Sequence, residues 1–167
     1  MIHIGIDPGA VSGAWAAIKG GQLIALHELP VSGVGTNRIV DAVILADQIG
    51  GLLEREGCPS YTRVLVEKVG SFPGQGISSA FRFGRGVGII DGVVGGLNLP
   101  IAYVTPAKWK SHFALSSDKE AARQLAIHEW PDIAALAFRR KADTDKAEAA
   151  LIALYAYQTA KRGEVAA

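Results

Sequence analysis

Three β-strand patterns follow one another within the first 29 residues and are joined only by short turns. Residues 2–7 place isoleucine at every second position, which is the period of a strand, and Pro8-Gly9 interrupts the pattern. Residues 12–19 and 22–29 give two further strand patterns around Gly20-Gly21, a typical hairpin turn. Strands joined by such short turns pair as antiparallel neighbours, so the sequence predicts an antiparallel meander at the start of the chain.

The rest of the chain alternates between helical and strand patterns. Val64-Leu65-Val66 is a continuous apolar run of the kind found in buried parallel strands. Strands are predicted over 63–69 and 101–104, and helices over 39–56, 76–97, 106–113, 117–130 and 144–161. We therefore predict an α/β fold with a five-stranded mixed sheet, an antiparallel meander plus parallel strands, and helices on both faces. We expect residues 1–167 to form a single domain.

Small residues recur every four positions along the longest predicted helix. They are Gly76, Ala80, Gly84, Gly88, Gly92 and Gly96. An interior glycine costs a helix about 1 kcal/mol relative to alanine, so this pattern needs a compensating gain in packing. It predicts that the helix lies closely against the sheet or against a second copy of the chain.

Composition excludes several classes of protein. An apolar fraction of 49% excludes a disordered chain, and the single cysteine, Cys58, excludes an intramolecular disulfide. An acid as early as Asp7 argues against a signal peptide, and the stretch from Val87 to Ile101 is too short for a membrane span, so we expect a cytoplasmic protein. The formal net charge is only +1, so a nucleic-acid partner would require positive charge gathered on one face.

Acidic residues occur at three separate places in the sequence, and each place could contribute to an active site. Asp7 ends the first predicted strand, Glu67 follows the apolar run of the central strand, and Asp145 and Glu148 lie three apart at the start of the last helix. Each also has a structural interpretation: Asp7 as a turn residue, Glu67 as an ion-pair partner of a neighbouring base, and the last two as a capping pair. Asp143 competes with Asp145 as a functional residue. Spacing alone does not establish that these side chains meet.

The acidic segments resemble those of the RuvC-type Holliday junction resolvases in the RNase H-like superfamily. The resemblance covers nearly the whole chain. It rests on Ile4-Gly5-Ile6-Asp7-Pro8-Gly9, Val64-Leu65-Val66-Glu67-Lys68-Val69, Gly84-Arg85-Gly86-Val87 and Asp145-Lys146-Ala147-Glu148-Ala149. It implies a homodimer that nicks two strands of a four-way DNA junction symmetrically, leaving 5′-phosphate and 3′-hydroxyl ends. The family often has aspartate at the last acidic position, where this chain has Glu148.

The resemblance also implies a metal site. Asp7, Glu67, Asp145 and Glu148 would be both the catalytic and the metal-binding residues, with Asp143 as the alternative to Asp145. Four converging carboxylates repel one another unless cations neutralise them, and hard oxygen ligands suit Mg²⁺ or Mn²⁺. Two such ions per active site are expected.

Basic and aromatic residues supply the expected DNA contacts. The resemblance implies Lys108 and Lys119 as basic catalytic residues, although Lys110 competes with Lys108. Arg82, Arg85 and Lys110 suit phosphate contacts, and Phe72 suits stacking on an unpaired base or anchoring its loop. Trp109 is expected in the core, and His112 on the surface of its helix.

Two other functions remain open at this stage. One is a phage nuclease acting on a broader range of branched DNA, and the other is a catalytically weak junction-binding protein. The sequence does not determine the cleavage preference or whether a branch-migration motor is a partner.

Overall fold

A computed structural model describes residues 1–9, 12–57, 61–70, 74–116 and 118–162, apart from the side chains of Thr36 and Lys119. The strands are β1 (Ile2–Asp7), β2 (Ala14–Lys19), β3 (Gln22–Glu28), β4 (Val31–Ser32), β5 (Ile39–Val40), β6 (Thr62–Glu67) and β7 (Ile101–Val104). The helices are α1 (Ala42–Glu56), α2 (Ile77–Gly96), α3 (Pro106–His112), α4 (Lys119–Glu129), α5 (Pro131–Ala137) and α6 (Thr144–Lys161). Two 3₁₀ turns span Gly35–Asn37 and Lys141–Asp143.

The sheet has the predicted mixed architecture. Its five strands lie in the order β3-β2-β1-β6-β7. β1 pairs antiparallel with β2, and β2 with β3, which confirms the meander. β1 pairs parallel with β6, and β6 with β7. β4 and β5 form a separate two-stranded sheet that the sequence analysis did not predict.

Helices cover both faces of the sheet, as predicted. Ile2, Ile4 and Ile6 of β1 belong to an apolar cluster with buried residues of α1 and α2. Side chains alternate along a strand, so Gly5 and Asp7 face the opposite side. That side is covered by α6, whose buried residues form a second cluster with those of α3 and α4. Asp7 therefore lies on the side of the sheet that α6 covers.

The closest contact between the layers is at Gly5. A Cβ atom built on Gly5 would lie 2.5 Å from the carbonyl oxygen of Ala149 and 2.9 Å from Cα of Ala153. Both atoms belong to the backbone of α6, so only glycine permits this separation. The short side chains of α6 also permit this close approach: Ala149 and Ala153 are fully buried. Close packing on β1 fixes the position of α6 and of the acidic residues in its first turn.

The small-residue pattern of α2 does not pack against the sheet. A Cβ atom added at Gly84, Gly88, Gly92 or Gly96 would meet nothing within 4 Å. The sheet is instead contacted by Ile90, Val93 and Val94, the buried residues of this helix. The prediction of close packing on the sheet is therefore wrong, because β-branched residues on another face of α2 provide that contact. Packing against a second copy remains a prediction.

Local contacts define the ends of α3, α4 and α5. Pro131 begins the short helix α5, in which proline occupies the first turn. Asp118 caps α4 and accepts a hydrogen bond from the Glu120 amide, while Ser117 lies outside the described residues. His112 is half-buried rather than on the helix surface, and its Nε2 lies 2.8 Å from Oε1 of Gln158 on α6.

In the described parts of the chain, no helix combines the length and the hydrophobicity that are needed to cross a membrane.

Candidate active site

Asp7 and Glu67 occupy equivalent ends of two neighbouring parallel strands. β1 and β6 pair in register from Ile2 opposite Thr62 to Ile6 opposite Val66, so the next residues of the two strands are Asp7 and Glu67. Leu65 belongs to the cluster on the α6 side, and strand alternation directs Glu67 to that same side. Both acids are largely buried, with 6% and 9% of their surfaces exposed.

The first turn of α6 brings two more acids to this edge of the sheet. Asp145 and Glu148 are three residues apart on the helix, so they share a face. Each of Asp7, Asp145 and Glu148 offers a carboxylate oxygen, and these oxygens all lie within 4.8 Å of one another. Segments distant in sequence thus converge into one carboxylate cluster, which we define as Asp7, Asp145 and Glu148.

Asp143 lies outside the carboxylate cluster and has cationic partners of its own. Its Oδ1 lies 2.9 Å from Nη2 of Arg140 and 2.9 Å from Nζ of Lys146. Its Oδ2 accepts a hydrogen bond of 2.7 Å from the Arg140 amide. Arg140 and Lys146 hold the pKa of this buried carboxyl well below its usual range. Asp143 is therefore engaged in anchoring the 3₁₀ turn that precedes α6, whereas Asp145 joins the carboxylate cluster.

Glu67 is held by a tryptophan from α3. The indole Nε1 of Trp109 donates a 2.7 Å hydrogen bond to Oε1 of Glu67, and Trp109 is fully buried. This core position agrees with the sequence prediction for Trp109. The hydrogen bond to Glu67 was not predicted, because the two residues are 42 positions apart. The indole fixes one carboxylate oxygen of Glu67 and thereby restricts the orientation of the side chain.

A lysine of α3 neutralises part of the charge of the cluster. Nζ of Lys110 lies 2.7 Å from Oε1 of Glu148, and both side chains are largely buried. Lys108, two positions earlier, is exposed. The structure therefore places Lys110 against Glu148 of the carboxylate cluster. The side chain of Lys119 lies outside the described part of the chain.

Two more of the predicted DNA-binding residues lie along α2. Arg82 and Arg85 are exposed on α2, and Nε of Arg82 donates a 3.3 Å hydrogen bond to the Ser78 carbonyl. Phe72 lies outside the described residues. Two arginines near the cluster, Arg38 and Arg140, were not singled out from the sequence.

The carboxylate cluster fits a divalent metal ion of the hard type. Its donors are carboxylate oxygens from three side chains, and these oxygens are close enough together to bind one ion. Glu67 lies at the end of the adjacent strand. Mg²⁺ and Mn²⁺ prefer such oxygen donors. Three like charges at this separation are otherwise repulsive, and Lys110 is placed to offset one of them.

Trp109→Phe is expected to weaken metal binding by about 10- to 100-fold, the usual effect of losing a hydrogen bond to a metal ligand. The variant removes the indole N–H and leaves Oε1 of Glu67 without that donor in a buried site. Calorimetric titration with Mn²⁺ measures the change without relying on activity.

Trp15→Phe is the matched control for this variant. Trp15 is also fully buried and also donates an indole hydrogen bond, in its case to Oε1 of Gln48 at 3.0 Å. It lies in the cluster on the other face of the sheet. Both variants should lose comparable stability, but only Trp109→Phe should lose metal affinity. Equal metal affinity in the two variants would show that the indole does not position Glu67.

The chain combines a five-stranded mixed sheet with a carboxylate cluster at its strand ends. Among solved structures, the chain is similar to RuvC of Thermus thermophilus in complex with a Holliday junction substrate, with a TM-score of 0.67 and 19% identity over 98% of both chains. It is also similar to a second structure of Thermus thermophilus RuvC, with a TM-score of 0.64 and 19% identity over 98% of both chains. The fold of this chain is therefore RuvC-type, as the sequence resemblance implied. No protein-family model matches the sequence, and no curated protein sequence matches it either.

Proposed function

We propose that this protein is a metal-dependent endodeoxyribonuclease that resolves four-way DNA junctions by paired symmetric nicks. The observation that carries the proposal is the carboxylate cluster at the strand ends of a RuvC-type fold. The similar protein whose structure includes a Holliday junction supports the choice of a branched DNA substrate. A buried acidic cluster on a different fold would not point to this substrate.

Asp7, Glu67, Asp145 and Glu148 are the proposed ligands for Mg²⁺ or Mn²⁺, with two ions expected in each active site. Carboxylates from two parallel strands and one helix approach from different directions, so they can bind ions at the edge of the sheet where DNA has access. A divalent ion held there supplies Lewis acidity, which lowers the pKa of water and stabilises negative charge on the leaving oxygen.

The chain's own residues have distinct proposed parts in phosphodiester hydrolysis. The four carboxylates would hold the divalent ions against which the scissile phosphate is positioned for in-line attack by water. The bond from phosphorus to the 3′ oxygen breaks, which leaves a 5′-phosphate and a 3′-hydroxyl. Lys110 brings a positive charge to the same edge through its contact with Glu148 and can offset charge that develops on the phosphate. Trp109 positions Glu67 and does not touch the DNA. Lys108 and Lys119 are assigned to phosphate contacts beside the cleaved bond.

Paired nicks require two active sites, and we propose that a homodimer provides them. The outward side of α2 supports this arrangement. Ile77 and Phe81 are 89% and 71% exposed, and the exposed glycines that follow leave room for a second backbone to approach. Arg82 and Arg85 flank this surface and are proposed to contact the DNA arms, while Phe72, which precedes α2 in the sequence, is proposed to stack at the junction centre.

Cleavage of a supercoiled plasmid that extrudes a cruciform tests both the activity and the pairing. With Mg²⁺ the protein is expected to convert the plasmid directly to the linear form, because two nicks across the junction separate the arms. Without Mg²⁺ the plasmid should remain supercoiled. A nicked circle as the sole product would indicate unpaired cleavage.

Matched synthetic substrates separate the remaining functions. Four-way junctions should be cut in preference to flaps and forks of the same sequence. Equal cleavage of all three would indicate a broader branched-DNA nuclease. Junction binding without cleavage at any Mg²⁺ concentration would indicate a junction-binding protein and contradict the proposed catalysis.

A further inference from the structure

A basic groove leads away from the carboxylate cluster on the side of the small β4–β5 sheet. A cavity of about 300 Å³ is lined by Asp145, Arg38 and Arg140. An adjoining concavity shares Ser12, Gly13 and Arg38 with it and continues to Arg82 on α2. Arg38 lines both spaces, so we call this surface the Arg38 groove. It connects the acidic first turn of α6 with an arginine already assigned to DNA.

The charges along the Arg38 groove differ in how far they are neutralised. Arg140 is paired with Asp143 and lies 4.0 Å from Glu28, and Lys146 is also paired with Asp143. Arg38 is exposed and makes no ion pair with any residue in the described parts of the chain. Its guanidinium therefore contributes a full positive charge close to Asp145.

The backbone of Arg38 is held in place by regular structure on both sides. A 3₁₀ turn ends at Asn37, and β5 begins at Ile39, which pairs with Ser32 of β4. β5 in turn lies against α2, where a Cβ atom at Gly86 would lie 3.8 Å from Cγ2 of Val40. An arginine on a braced backbone loses less freedom on binding a ligand than one on a mobile loop.

We infer that Arg38 binds a backbone phosphate of the cleaved DNA strand next to the scissile phosphate. The inference rests on the proposed nuclease function. A strand whose scissile phosphate lies at Asp145 must continue past this turn, and the Arg38 groove is open there. The carboxylates of Asp145 and Glu28 repel the neighbouring phosphates unless a cation compensates, and Arg38 is a cation of the groove that makes no ion pair with a described residue. The guanidinium fork matches the geometry of a phosphodiester.

Junction binding by Arg38→Gln, measured by fluorescence anisotropy in Ca²⁺ at several salt concentrations, tests the contact. Loss of one phosphate contact is expected to lower the salt slope of log K by about 0.9, which corresponds to roughly eightfold weaker binding at 0.1 M salt. Arg38→Lys should retain most of the slope because it keeps the charge. The control is Arg55→Gln on α1, another exposed arginine that does not line the groove; it should match the unmodified protein.

Junctions with single neutral methylphosphonates near the cleavage site locate the contact. At one linkage adjacent to the scissile phosphate, the unmodified protein and Arg38→Gln should bind equally, since the phosphate that Arg38 contacts is already uncharged. A penalty that persists at both adjacent linkages overturns the inference, as does an unchanged salt slope. If the unmodified protein does not bind the junction at all, the proposed function fails together with the inference, whereas normal binding that is insensitive to Arg38 overturns only the inference.

Discussion

Asp145→Asn is expected to slow DNA cleavage by at least about 100-fold while junction binding in Ca²⁺ stays within a few-fold of the unmodified protein. The amide keeps the size of the side chain but removes a negative donor from the carboxylate cluster. A bound ion contributes several kcal/mol of transition-state stabilisation, so its loss slows cleavage by roughly 10²- to 10⁴-fold. Asp7→Asn and Glu67→Gln should behave in the same way. Single-turnover cleavage of a labelled junction with saturating protein measures the rates.

Asp143→Asn is the matched control, since it makes the same chemical change two positions away. Asp143 is buried and bound to Arg140 and Lys146, so the variant should lose about 1–3 kcal/mol of stability from weakened charged hydrogen bonds. Below its unfolding temperature it should still cleave within about tenfold of the unmodified rate, because a supporting residue near a metal site has a smaller effect than a ligand. The assignment fails if Asp143→Asn abolishes cleavage and Asp145→Asn does not.

The sequence predicted those parts of the fold in which local pattern and tertiary environment agree. The isoleucine alternation of β1 marks one buried face, and the structure has this strand at Ile2–Asp7 as predicted. The last helix also has its predicted bounds, Thr144–Lys161, because it is buried along most of its length and is composed of good helix formers. The family resemblance indicated the acidic residues at the ends of these elements as site residues. The structure brings three of them together, Asp7, Asp145 and Glu148.

The choice between the lysines of α3 could not be made from the sequence. Lys108 and Lys110 are two positions apart, so they point to nearly opposite sides of a helix that turns 100° per residue. Only the packing of Trp109 against the α6 layer determines which lysine faces Glu148. The four-residue spacing of small residues in α2 is also an insufficient basis for prediction. It defines a face of the helix, but it does not determine whether the sheet or another molecule covers that face.

The contacts that organise the site are long-range and leave no local pattern. Trp109 reaches Glu67 across 42 positions, and Arg38 approaches Asp145 only because β5 pairs with β4. Asp143 and Asp145 look alike in the sequence. They differ because a 3₁₀ turn precedes α6 and directs Asp143 towards Arg140.

Gly5→Ala is expected to destabilise the protein by about 3 kcal/mol or more, at the upper end of the usual cost of overpacking. The added methyl would meet backbone atoms of α6, including the Ala149 carbonyl oxygen at 2.5 Å, and backbone cannot move aside as a flexible side chain can. For a protein of this size, the loss corresponds to a decrease in melting temperature of roughly 6–12 °C. Thermal and urea unfolding followed by circular dichroism measure it.

Gly51→Ala provides a control in which the same substitution should have the opposite sign. Gly51 is exposed in the interior of α1, and a Cβ atom there meets nothing within 4 Å, so alanine should stabilise the helix by about 0.5–1 kcal/mol. Gly5→Ala should also slow cleavage in the molecules that remain folded, because a displaced α6 carries Asp145 and Glu148 away from Asp7. Equal stability of the two variants would mean that β1 and α6 are not in close contact. Reduced stability with unchanged cleavage would mean that this contact holds the fold without setting the geometry of the carboxylates.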